Sequence, residues 1–133
     1  LHDALPIYIS NDEVKALTKE LYGTRPKNLI ITLLYGLLRH FNIREIYAID
    51  SDYHVKSDKV KASYSELWLE IGGEKQRRGW YKLPPQEIKK SLEEVKSKHR
   101  SQFIKRESLK EQAQLDLIAA LRQISVGNNT NQP

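Results

Sequence analysis

Across its 133 residues the chain contains no cysteine and no methionine. Without thiols there can be neither a disulfide framework nor a thiolate metal site. No unbroken apolar run approaches the roughly 20 residues that a membrane-spanning helix needs. Aromatic residues are scarce in the C-terminal third, where Phe103 stands alone among lysines and arginines. That scarcity argues against a base-stacking surface on this segment. An initiating methionine and a targeting signal are both missing from Leu1–Ile7. Those seven residues match the translation of a short-read sequencing adaptor, so they are expected to be non-native, with the natural protein continuing upstream. With the true N-terminus expected to be missing, the expected location is cytoplasmic or peripheral to a membrane.

What is present is a moderately basic chain of a length suited to one small domain. The net charge is +5, but residues 75–110 hold twelve Lys/Arg against four Glu, so the positive charge is concentrated late. The organising stretch runs from Gly23 to Asp50. Gly23 is free to take the left-handed conformation that closes a preceding helix. Pro26 is suited to a first helical position, where its missing N–H costs nothing. Leu29, Ile30, Ile31, Leu33, Leu34, Leu37, Leu38 and Phe41 cover most of a helical wheel, which predicts a buried helix. Asn42 is a stop, and Ile43–Ile49 reads as a strand. A helix running into a strand suggests an α/β unit with a crossover.

Around this unit, Ser10 followed by Asn11, Asp12 and Glu13 marks a helix start. Ser63 or Ser65 would cap a short helix through Ile71, closed by Gly72-Gly73. Glu74–Arg78 reads as a charged turn, and Gly79–Leu83 as a short strand stopped by Pro84-Pro85. From Gln86 to about Ile124 the spacing predicts a long helix, with a polar middle that allows a break. Residues 125–133 read as a disordered tail, leaving 8–124 as the folded part.

Three segments resemble the VirK/YbjX family of Gram-negative bacteria. They are Leu17–Leu29 (LTKELYGTRPKNL), Ser63–Trp68 with Glu70-Ile71-Gly72-Gly73, and Val95–Ser101 (VKSKHRS). The resemblance implies a bacterial accessory protein linked to envelope integrity, antimicrobial-peptide resistance or virulence. It also implies a longer N-terminal part, and no catalytic residue comes with it. The order of loop, helix, strand and short helix is similar to the second half of the GNAT acyltransferase fold. The expected fold is therefore α/β (α+β): a GNAT-like half with a buried helix on a small sheet, followed by a long basic helix.

The second resemblance implies an acyl-CoA site at Thr24, Arg25, Lys27 and Asn28, where helix amides and two cations would meet a phosphate. The glycine-spaced pattern of that family is missing, and Pro26 removes one donor. The same residues also read as a solvated helix start. Trp68 stands where those enzymes often carry an acidic tyrosine, so Tyr64, one turn earlier, is the substitute candidate. His54, just past a strand end, is a candidate base or a turn histidine without a role. Asp50 and Asp52 flank that turn without making a metal site. Lys89, Lys96 and Arg100 fall at i, i+7 and i+11, one stripe of a basic helix that could meet anionic lipid or an acidic protein, with nucleic acid less favoured. Glu94–Lys98, Glu93–Lys96 and Glu107–Lys110 have the spacing of an ordinary solvated helix. Trp68 and Trp80 read as core or groove aromatics rather than a stacking platform.

Overall fold

A computed structural model of the chain describes residues 10–50 and 64–130, with side chains as far as 127. Leu1–Ile7, Asp52, His54 and residues 131–133 lie outside the described residues. The elements are α1 (Asn11–Glu20), α2 (Pro26–His40), β1 (Ile46–Ile49), α3 (Tyr64–Glu70), β2 (Glu74–Lys75), β3 (Trp80–Leu83) and α4 (Arg100–Thr130). Helices and a small sheet coexist without alternating, which makes this an α+β protein.

The helix ends follow from backbone hydrogen bonding. Ser10 and Glu13 form a reciprocal capping box at the start of α1, satisfying two amides that a helix start leaves open. At the far end of α1, Tyr22 N–H donates to the Lys19 carbonyl and Gly23 N–H to the Thr18 carbonyl. The same pair of bonds closes α2 through Asn42 and Ile43, and α3 through Gly72 and Gly73. All three are Schellman closures. The left-handed position is taken by Tyr22 (φ 57°), Asn42 (φ 55°) and Gly72 (φ 93°). Gly23 is left-handed as expected (φ 85°), but the closing position falls one residue earlier, so Tyr22 bears the left-handed conformation that ends α1.

The chain divides into two compact units, residues 1–34 with 91–133, and residues 35–90. In the first unit Ile31, Thr32 and Gln114 are buried, and the Gln114 side-chain amide donates to the Thr32 carbonyl at 2.7 Å. That bond joins α2 to α4 where neither partner can reach water, so each satisfies the other.

The second unit holds a three-stranded sheet in the order β1-β3-β2, antiparallel at both joins. The helix–strand crossover expected from Leu29–Ile49 is therefore replaced by antiparallel pairing with a later strand. Register sets Ala48 opposite Tyr81 and Ile46 opposite Leu83. These form the core with Trp68 and Ile71. Strand alternation sends Tyr47, Trp80 and Lys82 to the other face. Trp68 Nε1 donates to the Ile49 carbonyl at 2.8 Å, which fixes α3 on β1. The Ser65 hydroxyl donates to the Asp50 carboxylate, and the Asp50 amide donates to the Gly79 carbonyl. Asp50 is thus an internal tie, in keeping with its burial.

Two expectations change. The α2 helix is one-sided: Ile31, Thr32, Tyr35 and Gly36 are buried, while Ile30 and Leu34 on α2 and Phe41 just past its end are exposed. An apolar wheel records which residues can be buried, but not what covers them. The long helix expected from Gln86 begins only at Arg100 and then runs through Thr130, into the stretch read as tail. Residues 92–94 and 97–99 are isolated 3-10 turns separated by extended Val95 and Lys96. Charge pairs at helical spacing stabilise by about 0.2–0.5 kcal/mol each. Three apolar residues and a few such pairs do not offset the cost of nucleating a helix.

Gly73 abuts the backbone: a Cβ there would stand 2.6 Å from the Trp68 carbonyl oxygen. Gly73→Ala is expected to lower stability by about 1–3 kcal/mol in urea unfolding. Gly127→Ala meets nothing within 4 Å and is expected to raise it by roughly 0.5–1 kcal/mol.

The Tyr35 hydroxyl donates to the Pro84 carbonyl at 2.8 Å. Burial, assisted by the nearby Glu87 charge, pushes its pKa above the ordinary 10.0. The folded state thus holds the proton more tightly than the unfolded one. That contribution is complete below about pH 10 and is lost as pH rises through the folded pKa. Tyr35→Phe is expected to cost about 1 kcal/mol at neutral pH. It should also make the decline in stability above pH 10 shallower, as urea midpoints across pH will show.

Candidate functional site

In the first unit two cations of α4 stand beside the turn between α1 and α2. The turn is tight because Tyr22 and Gly23 are both left-handed and the Thr24 amide donates to the Leu21 carbonyl. It lies against the first turns of α4. A Cβ on Gly23 would stand 3.1 Å from Gln102 Nε2 and 3.5 Å from Arg106 Nη1. Lys105 Nζ lies 5.9 Å from the centre of the Tyr22 ring, and Arg106 the same distance from the Phe103 ring. Arg25 ends the turn, Lys27 is the second residue of α2, and both are exposed. Lys105 and Arg106 therefore stand beside Tyr22 and Gly23, on the turn that leads into Arg25 and Lys27. Sequence spacing could not find the two α4 cations, because some 80 residues separate them from the turn.

The opening of α2 offers little backbone. Pro26 has no N–H, and the Asn28 and Leu29 amides both donate to the Arg25 carbonyl, at 2.9 and 3.1 Å. Among the first three helical amides only that of Lys27 stays outside these bonds. Any anion held here would depend on side-chain cations more than on the helix dipole. Thr24 adds a separate feature. It is 2% exposed, and its hydroxyl is buried with no hydrogen-bond partner.

The other candidates are placed differently. Lys89 belongs to the second unit, in irregular chain, and Lys96 precedes a 3-10 turn. Arg100 is the first residue of α4 and donates from Nε to the Val95 carbonyl at 2.9 Å. The three do not form one helical stripe, because 89 and 96 are not on a helix. Tyr64 opens α3 in the second unit and stacks on Trp68, with ring centres 6.3 Å apart. His54 lies outside the described residues. Among the described residues no group of three or more His, Cys, Asp or Glu could hold a metal ion. Nor is any described helix long and apolar enough to cross a membrane.

Comparison with known proteins adds the decisive observation. Residues 7–119 match the model of a family described as protein of unknown function, DUF535. The chain belongs to the DUF535 family. This is the VirK/YbjX family that the three sequence segments resemble. It is 26% identical over 106 residues to the uncharacterized protein YbjX of Escherichia coli, covering 74% of this chain and 32% of that protein. An uncharacterized protein of Haemophilus influenzae is 30% identical over 108 residues, covering 78% and 37%. The chain spans about a third of the length of the curated relatives it matches. No solved structure matches the chain.

A buried hydroxyl without a partner costs about 1–3 kcal/mol. Thr24→Val, which removes the hydroxyl and keeps the shape, is expected to raise the stability of the ligand-free protein by about 1 kcal/mol in urea unfolding. An unchanged or lower midpoint would mean that the hydroxyl is already satisfied.

Proposed function

We propose that this part of the DUF535 chain serves a bacterial envelope accessory protein by gripping anionic phospholipid. The grip lies where the turn leads into Arg25 and Lys27, backed by Lys105 and Arg106. The reading is supported above all by the two α4 cations that stand beside this turn from a distant part of the sequence. The setting is the one the VirK/YbjX resemblance implies: envelope integrity, antimicrobial-peptide resistance or virulence. Attachment would be peripheral, at the inner-membrane surface, through charge.

Each Lys or Arg near an anionic leaflet contributes about 1 kcal/mol, and salt screens it. The full protein is therefore expected to sediment with phosphatidylglycerol vesicles at low salt and to stay free of phosphatidylcholine vesicles. Reversing Arg25 and Lys27 to Glu should weaken partitioning about tenfold or more. Reversing Lys89, Lys96 and Arg100 should weaken it less. Retention by both lipids alike, or equal loss with both sets of reversals, would remove the turn from the mechanism.

A further inference from the structure

The second unit carries an exposed aromatic face that the membrane reading does not use. Its sheet is covered by α3 on the side of Ala48, Tyr81 and Leu83. On the other side Tyr47 is 50% exposed and Trp80 44% exposed. Tyr47, Trp80, Gln76 and Arg77 line a shallow open depression of about 600 Å³. Burying such rings would be the ordinary outcome for a small sheet.

The register explains how the rings are spaced. Trp80 is opposite Ile49, and Tyr47 is opposite Lys82. The two aromatics are thus diagonal neighbours on adjacent strands, about 7–8 Å apart along the sheet. The three-residue turn Arg77–Gly79 rejoins β2 to β3, with Arg78 (φ 61°) and Gly79 (φ 76°) both left-handed. The Gln76 amide donates to the Trp80 carbonyl at 2.7 Å, closing that turn. Gln76 and Arg77 are thereby set at the end of the aromatic face. Between Glu74 and Lys82 the chain has Lys75, Arg77, Arg78 and Lys82 against the single acid Glu74.

We propose that this face binds single-stranded nucleic acid, with Trp80 and Tyr47 each stacking one base and Arg77 holding the intervening phosphate. Three features favour that occupant. The rings are offset as two successive splayed bases require, and aromatic side chains on an exposed antiparallel sheet are a known way of presenting them. The surrounding charge is positive, complementary to a phosphate backbone. The depression is open, which suits a strand passing over it, whereas small-ligand sites enclose most of their ligand. Gln76 Nε2 donates to the Glu74 carbonyl at 3.2 Å, which leaves its Oε1 to accept from a base edge, and Lys82, in register between Tyr47 and Glu74, adds a cation to the same face. This proposal is independent of the lipid reading, because its residues and the cationic turn belong to separate units.

The test uses the full protein and a fluorescein-labelled oligouridylate of about ten nucleotides, within the span such sites cover. At low ionic strength the oligonucleotide should gain anisotropy and quench tryptophan emission. Trp80→Thr and Tyr47→Thr, both strand-compatible changes on the open face, should each weaken binding about fivefold or more. Arg77→Gln should lower the dependence of log affinity on log salt by about one. Unchanged circular dichroism will show that the variants fold. The proposal is overturned if the wild-type protein does not bind, or if both threonine variants bind as well as wild type. It is equally overturned if binding disappears only on reversal of Arg25, Lys27, Lys105 and Arg106. Acrylamide quenching that is the same in the wild-type and Trp80→Thr proteins would mean that the full protein covers this face itself, and would also overturn it.

Discussion

The second unit depends on the pairing of β3 with β1 on one side and β2 on the other. Four residues, Trp80 to Leu83, are the middle of the sheet. Their alternation sends Tyr81 and Leu83 into the core and leaves Trp80 and Lys82 outside. Core and surface are therefore specified by the same short strand. The hydrogen bond from Trp68 to the Ile49 carbonyl then fixes α3 over the inner side, and Asp50 ties the end of β1 to both Ser65 and Gly79. Because the core is small, each of these polar ties contributes a substantial share of the specificity of the arrangement.

The first unit is organised on a different principle. Its buried polar pair, Gln114 and the Thr32 carbonyl, fastens two helices. Its surface chemistry arises where the α1–α2 turn meets the first turns of α4. Local backbone geometry makes the turn, and a distant helix sets two cations beside it. The family assignment and this cluster are separate observations: the first places the chain among DUF535 proteins, and the second gives it a region with definable chemistry.

Much of the local architecture is legible in the sequence because it is enforced locally. Ser10 with Glu13, Gly23, Pro26, Asn42 and Gly72-Gly73 all punctuate helices where expected, since caps and left-handed closures depend on a few adjacent residues. The strand at Trp80–Leu83 was readable from its aromatic composition and the Pro84-Pro85 stop. The pairing partners were not, because antiparallel register between β1 and β3 is set across more than 30 residues. The helix expected from Gln86 starts late because charge spacing alone does not distinguish a helix from a solvated irregular chain. The placement of Lys105 and Arg106 beside Tyr22 and Gly23 is not legible, because nothing in their own neighbourhood signals the turn. The exposure of Trp80 was equally hidden, since composition favours burial of such a residue and only the register reveals the opposite.

The hairpin turn Arg77–Gly79 has one more consequence, which concerns inheritance. In a pleated strand the two faces alternate residue by residue, so adding or removing one residue in this turn would exchange the roles of the whole strand beyond it. Tyr81 would be turned outward and Trp80 inward, and the protein would lose its interior and its outer face in a single event. A change of length at this bend would therefore have to preserve parity, and the buried Gly79, left-handed and bonded through its carbonyl to Asp50, limits the identity of the residues in it as well.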